Sequence, residues 1–379
     1  MKRIGILTGG GDAPGLNAVI RAVVLSAHAK GWSCFGILRG FGSLLERGDR
    51  EGDVWVGPER RKVAFAHGLM PLGPDDVRGI THLGGTILGA SNRGNPFRWP
   101  SQDAAGNPVE TDRSDELIEA FRRAGIDALV VIGGDGSLSI AHDLAAKGMH
   151  VVGVPKTIDN DVWGTETTFG FDTAVSTATE AIDKLVSTAQ SHDRVMVVEL
   201  MGRYAGWIAL HSGISGSADV ILIPEIPFDI EKVCQTIRDR EAQGQRYGIV
   251  VVAEGARPLG GSLVIQEPGR AGRAERLGGV GAQVSEAIAE RTGKETRLLV
   301  LGHLQRGGSP TTFDRLLALR FGAAVVRAIM DGAFGSVVVY TPPNVGRVSL
   351  AEVVGRSRLV PLDSGVIMTA RALGISFGD

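Results

Sequence analysis

Short apolar runs, many of them β-branched, recur along the chain at residues 4–7, 34–38, 128–132, 151–154, 195–200, 220–223, 249–253, 298–301 and 337–340. A strand covered by helices on both faces needs apolar side chains at every position, so these runs read as buried parallel strands. Amphipathic segments separate them. Ser114-Asp115-Glu116-Leu117-Ile118-Glu119-Ala120-Phe121 opens with a serine suited to N-capping and with early acids, then places Leu117, Ile118 and Phe121 on one face. Residues 173–189 and 312–330 read as longer helices of the same kind. The alternation predicts an α/β fold in two lobes of doubly wound, mostly parallel sheets. Residues 92–113, rich in Pro, Gly, Asn and charge, and 258–281, rich in Gly and Arg, break the pattern and read as surface loops.

The length of 379 residues suits two domains rather than one small core. Forty basic against 42 acidic side chains leave a formal charge of -2. No general field therefore draws the chain to nucleic acid or to an anionic membrane, and an anionic ligand must be held by local groups. No basic stripe or aromatic platform supports a nucleic-acid role. The two cysteines, Cys34 and Cys234, form no disulfide framework and no CxxC motif, and read as buried small hydrophobes in a reducing cytoplasm. The N-terminal apolar run is too short for a signal peptide, and no run of roughly 18 apolar residues follows, so a cytoplasmic location is expected.

Three strand ends carry candidate chemistry. Thr8-Gly9-Gly10-Gly11-Asp12-Ala13-Pro14-Gly15-Leu16-Asn17 leads from a strand into a helix, where glycines let backbone amides approach a phosphate and the helix N-terminus favours negative charge. Pro14 stands where a Rossmann fingerprint needs glycine, and no Gly-x4-Gly-Lys-Ser/Thr occurs. A plain tight turn is the competing reading. At Val131-Ile132-Gly133-Gly134-Asp135-Gly136-Ser137, Ser137 can cap the next helix and Asp135 can hold hydrated Mg²⁺ beside phosphates. At Pro155-Lys156-Thr157-Ile158-Asp159-Asn160-Asp161, two acids two apart would point to one side of an extended segment, a layout for a base and its partner; capping or turn roles compete. Open α/β sheets place their sites at such ends. Arg194 precedes a strand, Met201-Gly202-Arg203 follows it, Arg297 opens another, and His303-Leu304-Gln305-Arg306-Gly307-Gly308-Ser309-Pro310 closes that one. Arginine's planar fork suits phosphate.

Taken in order, Gly10 to Asn17, Gly133 to Ser137, Pro155 to Asp161, Met201-Gly202-Arg203-Tyr204-Ala205-Gly206 and Gly302 to Pro310 closely resemble the signature segments of the 6-phosphofructokinase family, over about residues 1–326. Gly-Gly-Asp-Gly alone is shared with NAD kinases and lipid kinases, but those would not need the Arg203 and His303 to Arg306 segments. The resemblance implies an ATP-dependent enzyme that phosphorylates the 1-hydroxyl of fructose 6-phosphate in glycolysis. It implies donor binding by Gly11, Arg93, Asp135, Gly136, Ser137 and Lys156, with Mg²⁺ on Asp135. Asp159 would be the general base, with Thr157 and Asp161 beside it, and Arg203 would stabilise the phosphoryl group in flight. Met201, Gly202, Glu254, His303 and Arg306 would hold the sugar phosphate together with Arg194 and Arg297. The last two reach in from a neighbouring subunit in the family, so a homodimer or homotetramer is implied. The lobes are expected to be 1–140 plus 252–300 for the donor and 141–251 plus 301–379 for the sugar phosphate.

Two positions depart from the family pattern. Arg21 matches a basic position of the bacterial effector site, but Leu25 stands where a second arginine is expected. Lys156 is typical of pyrophosphate-using members, whereas Gly136 is typical of ATP-using ones. An aspartate at 136 would add bulk and like charge where the α-phosphate and nucleoside pass, and glycine leaves that channel open, which favours ATP. Lysine at 156 adds a mobile charge that either donor's phosphates could use. A pyrophosphate-dependent enzyme and a non-catalytic sugar-phosphate sensor are the alternatives. Residues 342–379 carry no recognised motif.

Overall fold

The computed structural model describes all residues except 1, 48–50, 57–60, 67, 92–93 and 268–275. The chain begins with β1 (Arg3–Thr8), α1 (Leu16–His28), β2 (Ser33–Ile37), α2 (Gly42–Arg47), β3 (Glu51–Val56), β4 (Arg61–Ala66) and β5 (Leu69–Leu72). A hairpin of β6 (Trp99–Gln102) and β7 (Pro108–Thr111) precedes α3 (Ser114–Arg123), β8 (Ala128–Gly133), α4 (Asp135–Ala146) and β9 (Val151–Pro155). The middle of the chain forms α5 (Phe171–His192), β10 (Val195–Leu200), α6 (Trp207–Ser215), β11 (Val220–Leu222), α7 (Ile230–Ala242) and β12 (Gly248–Ala253). A small ribbon of β13 (Ile265–Glu267) and β14 (Arg276–Leu277) leads to α8 (Val280–Thr292) and β15 (Thr296–Val300). After a 3-10 turn at Gly302–Arg306 come α9 (Thr312–Met330), β16 (Ser336–Thr341), β17 (Asn344–Ser349), α10 (Leu350–Val353) and α11 (Gly365–Ala372).

These strands make two main sheets. The larger has the order β17-β16-β9-β8-β1-β2-β5-β4-β3, the smaller β11-β12-β10-β15. The apolar runs behave as the pattern predicts: β1, β2, β8, β9 and β16 pair in parallel, as do all four strands of the smaller sheet. The larger sheet then gains an antiparallel flank, β5-β4-β3, and an antiparallel edge at β17, neither of which an apolar run announces. Each sheet is covered on both faces. Val19, Val23, Phe321 and Val325 from α1 and α9 fill one face of the larger sheet, while Leu117, Phe121, Leu138 and Leu350 fill the other. Ala178, Ile182 and Ile208 cover one face of the smaller sheet, Val233, Ile237 and Val284 the other. No helix among the described residues is long and apolar enough to cross a membrane.

Several local expectations change. Ser114 is the first residue of α3 rather than its cap; Asp112 Oδ1 accepts from the Ser114 N–H at 2.8 Å instead. Ser137 does not cap α4, whose N-cap is Gly134. The lobe partition also differs from the sheets. β9 pairs with β8, and β16 with β9, so both belong to the larger sheet, whereas β12 and β15 flank β10 in the smaller one. The reason is physical: α5 carries the chain to the smaller sheet only after β9 is paired, and α9 brings it back to lie on α1 before β16 is added.

That return depends on a close approach of α9 to α1. A Cβ on Gly322 would stand 2.6 Å from Ala22 Cβ and 2.6 Å from the Val19 carbonyl oxygen. Alanine's helix propensity exceeds glycine's by about 1 kcal/mol, but overpacking against backbone costs about 1–3 kcal/mol. Overlap is the larger effect, so Gly322→Ala is expected to lower the urea midpoint at unchanged m, and Gly322→Leu to lower it further.

Candidate active site

The carboxyl ends of the two sheets meet. From the larger sheet come the loop after β1, the Gly133–Gly134 turn into α4, and residues 156–161 after β9. Backbone bonds tie them together: Gly9 N–H to Ile132 O at 2.9 Å and Lys156 N–H to Gly133 O at 2.9 Å. From the smaller sheet come Met201 to Gly206 after β10, Glu254 after β12, and the turn Gly302–Arg306 after β15. Here Glu254 N–H bonds to Leu200 O at 2.8 Å, Gly255 N–H to Gly202 O at 3.1 Å, and Met201 N–H to Gln305 Oε1 at 3.3 Å. Gly202 needs its glycine, with φ 143° and an absent Cβ that would sit 2.8 Å from Ala205 O.

One cation, Arg306, bridges the halves, and another, Lys156, ties two loops of the larger sheet together. The Lys156 ammonium is buried and donates to the Gly11 carbonyl. Arg306 Nη1 donates to Asp12 O at 3.1 Å, and a Cβ on Gly11 would meet it at 2.9 Å. The sequence treats Lys156 as a mobile charge; in the structure it is fixed against the glycine loop, because a buried ammonium needs an acceptor. Burial pushes its pKa down to about 8, with Arg306 adding to the effect.

Asp159 lies among these groups. Enclosure raises its pKa; Arg306, Lys156 and Arg203 oppose that shift, while Glu254 reinforces it. Its Oδ1 is buried and has no hydrogen-bond partner among the described residues. Asp161 is pushed up to about 7 by burial and then by Asp159, with Asp135 contributing; the Thr157 hydroxyl bonds to it and favours its charged form. The two acids are electrostatic neighbours, but not because the segment is extended. Asn160 between them is left-handed, φ 55°, and its Oδ1 accepts from Thr168 N–H at 3.0 Å. Thr157 Oγ1 accepts from Asp159 N–H at 3.1 Å.

Beside the glycine loop, a cleft of about 310 Å³ opens along Gly10, Gly11, Asp12, Thr86 and Ala90. Asp135, the first residue of α4, is exposed; partial desolvation raises its pKa and the Gly355 N–H, which bonds to it, lowers it. A Cβ on Gly136 would meet nothing within 4 Å. Ser137 is buried instead, its Oγ 2.4 Å from where a Gly9 Cβ would stand, so it underpins the glycine loop rather than facing the cleft. Arg93 lies outside the described residues.

Glu254 is half-buried with a raised pKa, from burial first, and accepts from the Gly202 N–H. His303 is exposed at the turn after β15. Arg194 and Arg297 are not brought to Asp159. They stand at the amino ends of β10 and β15, about 20 Å of strand away, and share Glu295, with Arg194 Nε at 2.9 Å. Arg21 Nη1 bonds to Val77 O at 3.0 Å. Sequence reasoning missed Gly355 and Arg358, which pack on Asp135 and on the 160–161 turn. No local signal marks them, because their partners lie some two hundred residues earlier.

No group of three or more His, Cys, Asp or Glu side chains that could hold a metal occurs among the described residues. Asp135 and Asp161, which raises its pKa partly through Asp135, nevertheless suit a cation that keeps most of its waters and takes one or two carboxylates.

Lys156 yields a stability prediction. Its folded pKa of about 8 lies below the ordinary 10.5, so between pH 8 and 10.5 the unfolded chain binds more protons and stability rises with pH. Lys156→Met removes the group. The stability difference, parent minus variant, is expected to be flat below pH 8 and to rise up to about 10.5, read by urea denaturation across that range; parallel pH curves would contradict the buried charge.

The phosphofructokinase family model matches residues 3–329. A relative named ATP-dependent 6-phosphofructokinase, from Chloroflexus aggregans, is 49% identical over 378 residues, covering 100% of this chain and 98% of that one. A relative from Amycolatopsis methanolica, named pyrophosphate--fructose 6-phosphate 1-phosphotransferase, is 48% identical over 362 residues, covering 95% of this chain and 96% of that one. Among solved structures, Pichia pastoris phosphofructokinase superposes with a TM-score of 0.75 at 30% identity, over 99% of this chain and 37% of that longer one. With its two sheets meeting at their carboxyl ends and the family match spanning most of its length, the chain belongs to the phosphofructokinase family.

Proposed function

We propose that this protein is an ATP-dependent 6-phosphofructokinase. The observation that carries the reading is Asp159, a half-buried carboxylate with an unpartnered enclosed oxygen, flanked by Lys156, Arg203 and Arg306 at the junction of the two sheets. Its raised pKa suits a general base, which works best when its pKa approaches the working pH. Asp159 takes the proton of the sugar's 1-hydroxyl as that oxygen bonds to the γ-phosphorus; the bond from phosphorus to the β,γ-bridging oxygen breaks and ADP leaves. The proton later passes from Asp159 to solvent. Arg203 and Lys156 oppose the negative charge of the transferring group, and most of the rate comes from such positioning and electrostatics. Asp135, with Asp161 nearby, would hold Mg²⁺. When bound, that ion neutralises phosphate charge.

Glu254 is placed to accept from sugar hydroxyls, and Met201 and Gly202 form the turn beside it. His303 and Arg306 are assigned to the 6-phosphate. Arg194 and Arg297, at the far end of the smaller sheet, are assigned to the site of a neighbouring copy. The exposed edge strand β15, with Leu298 37% and Val300 53% exposed, supports an oligomer. The assignment of a donor role to the larger sheet and a sugar-phosphate role to the smaller follows from the same placement. The free, buried cysteines are in keeping with the cytoplasm.

The donor divides the relatives, since both names occur at similar identity. Gly136, with open space beyond it, favours ATP; Lys156, buried against the glycine loop, is the feature that favours pyrophosphate as a second reading. A coupled assay of fructose 6-phosphate with each donor decides between them: turnover with ATP is expected, and turnover with pyrophosphate alone would refute the proposal. Asp159→Ser is expected to lower kcat by about 10²–10⁴-fold with sugar-phosphate binding retained; unchanged turnover would remove the base role, and a parent that binds the sugar phosphate without turnover would leave a sensor as the better account. Gly136→Asp is expected to raise the KM for ATP at least about tenfold, equivalent to 1.4 kcal/mol, and ATP kinetics equal to the parent's would show that this position does not gate the donor.

A further inference from the structure

We propose that Arg358 is a positioning residue for the turn 159–161, acting through a strap formed by residues 355–360. The inference rests on the kinase reading above and assigns a task to a segment that carries no motif. The strap touches the site at successive points. The Gly355 N–H bonds to the Asp135 carboxylate, and Ser357 makes an antiparallel bridge to Val162. The Arg358 N–H donates to Asp161 O at 2.8 Å, and its Nη1 reaches Asn160 O at 3.5 Å. Two successive carbonyls of the turn that separates Asp159 from Asp161 are thus held by one residue. The turn is left-handed at Asn160, a conformation that a non-glycine residue keeps only when its surroundings impose it.

Arg358 is itself firmly seated. Its side chain is 17% exposed, with Nη2 3.0 Å from Glu166 Oε1 and the guanidinium 4.1 Å over the Trp207 ring. Trp207 Nε1 donates back to Arg358 O at 2.9 Å. Two residues on, Val360 N–H bonds at 2.9 Å to Glu225, which also accepts from Gly206 N–H at 3.1 Å. Gly206 and Trp207 directly follow the turn that carries Arg203. The strap therefore sets the acids after β9 against the arginine turn after β10, across the junction of the two sheets. A misplacement of about 1 Å at a reacting group can lower a rate about 10²-fold, so a group that fixes this relation acts on kcat more than on binding.

Arg358→Ala and Arg358→Lys test this by steady-state kinetics and hydrogen exchange. Arg358→Ala is expected to lower kcat about tenfold while changing KM for fructose 6-phosphate and for ATP by less than about twofold. Amides of residues 157–168 are expected to exchange about tenfold faster, with those of β12 unchanged, since the opening is local. Arg358→Lys keeps the charge and is expected to recover most of both effects. Unchanged exchange at 157–168, an equal rise in β12, or a kcat equal to the parent's would each overturn the proposal. If the parent itself fails to phosphorylate fructose 6-phosphate, the kinase reading falls, and the exchange measurement still decides whether Arg358 holds the turn.

Discussion

Asp159, Asp161 and Lys156 are ionisable groups enclosed where two sheets meet, and the rest of the architecture serves to make that enclosure tolerable. A charge taken out of water is strongly unfavourable unless it is paired and hydrogen-bonded. Here the opposing charges come from both sheets: Lys156 follows β9 together with the acids, while Arg306 and Arg203 follow β15 and β10. Of these three cations, the smaller sheet supplies two. Burial nevertheless pushes Asp161 upward and Lys156 downward, and groups perturbed in this way cluster where proteins do chemistry.

Much of this was legible in the sequence for a simple reason. Strands buried on both faces must be apolar throughout, and all nine apolar runs are strands of the two main sheets. Glycine and acidic residues at their carboxyl ends marked the loops that converge. What escaped was whatever depends on partners far along the chain. β3 and β4 carry Glu51, Asp53, Arg61 and Lys62 among their apolar positions, and β17 is mostly exposed, so none has the continuous signature. Asp159 and Asp161 were expected to share a side through extension, yet Asn160 brings them together through a left-handed turn. Ser137 looked like a ligand or a cap because it follows Gly-Gly-Asp-Gly; its burial beneath Gly9 is decided by the packing of β1 against β8, which no local pattern encodes. The division of the strands between the two sheets escaped likewise, since pairing of β9 with β8 is not a property of either segment alone.

Gly136 and Lys156 also take on distinct physical characters. Gly136 is an absence, a place where a side chain would enter open space, whereas Lys156 is a fixed buried cation bonded to Gly11. One leaves open space and the other fixes a positive charge against the glycine loop, so the pair need not vary together.

The path of the chain has a consequence for synthesis. β16 pairs with β9, and α9 covers α1, although well over a hundred residues separate the members of each pair. On a ribosome, β1, β2, β8 and β9 emerge early, and the smaller sheet is then made in one continuous stretch. Through that interval the apolar surface that α9 will cover, including Val19 and Val23 of α1, has not received its last layer. A nascent chain of this topology can complete its second sheet before its first, and during translation it presents an apolar surface suited to a chaperone.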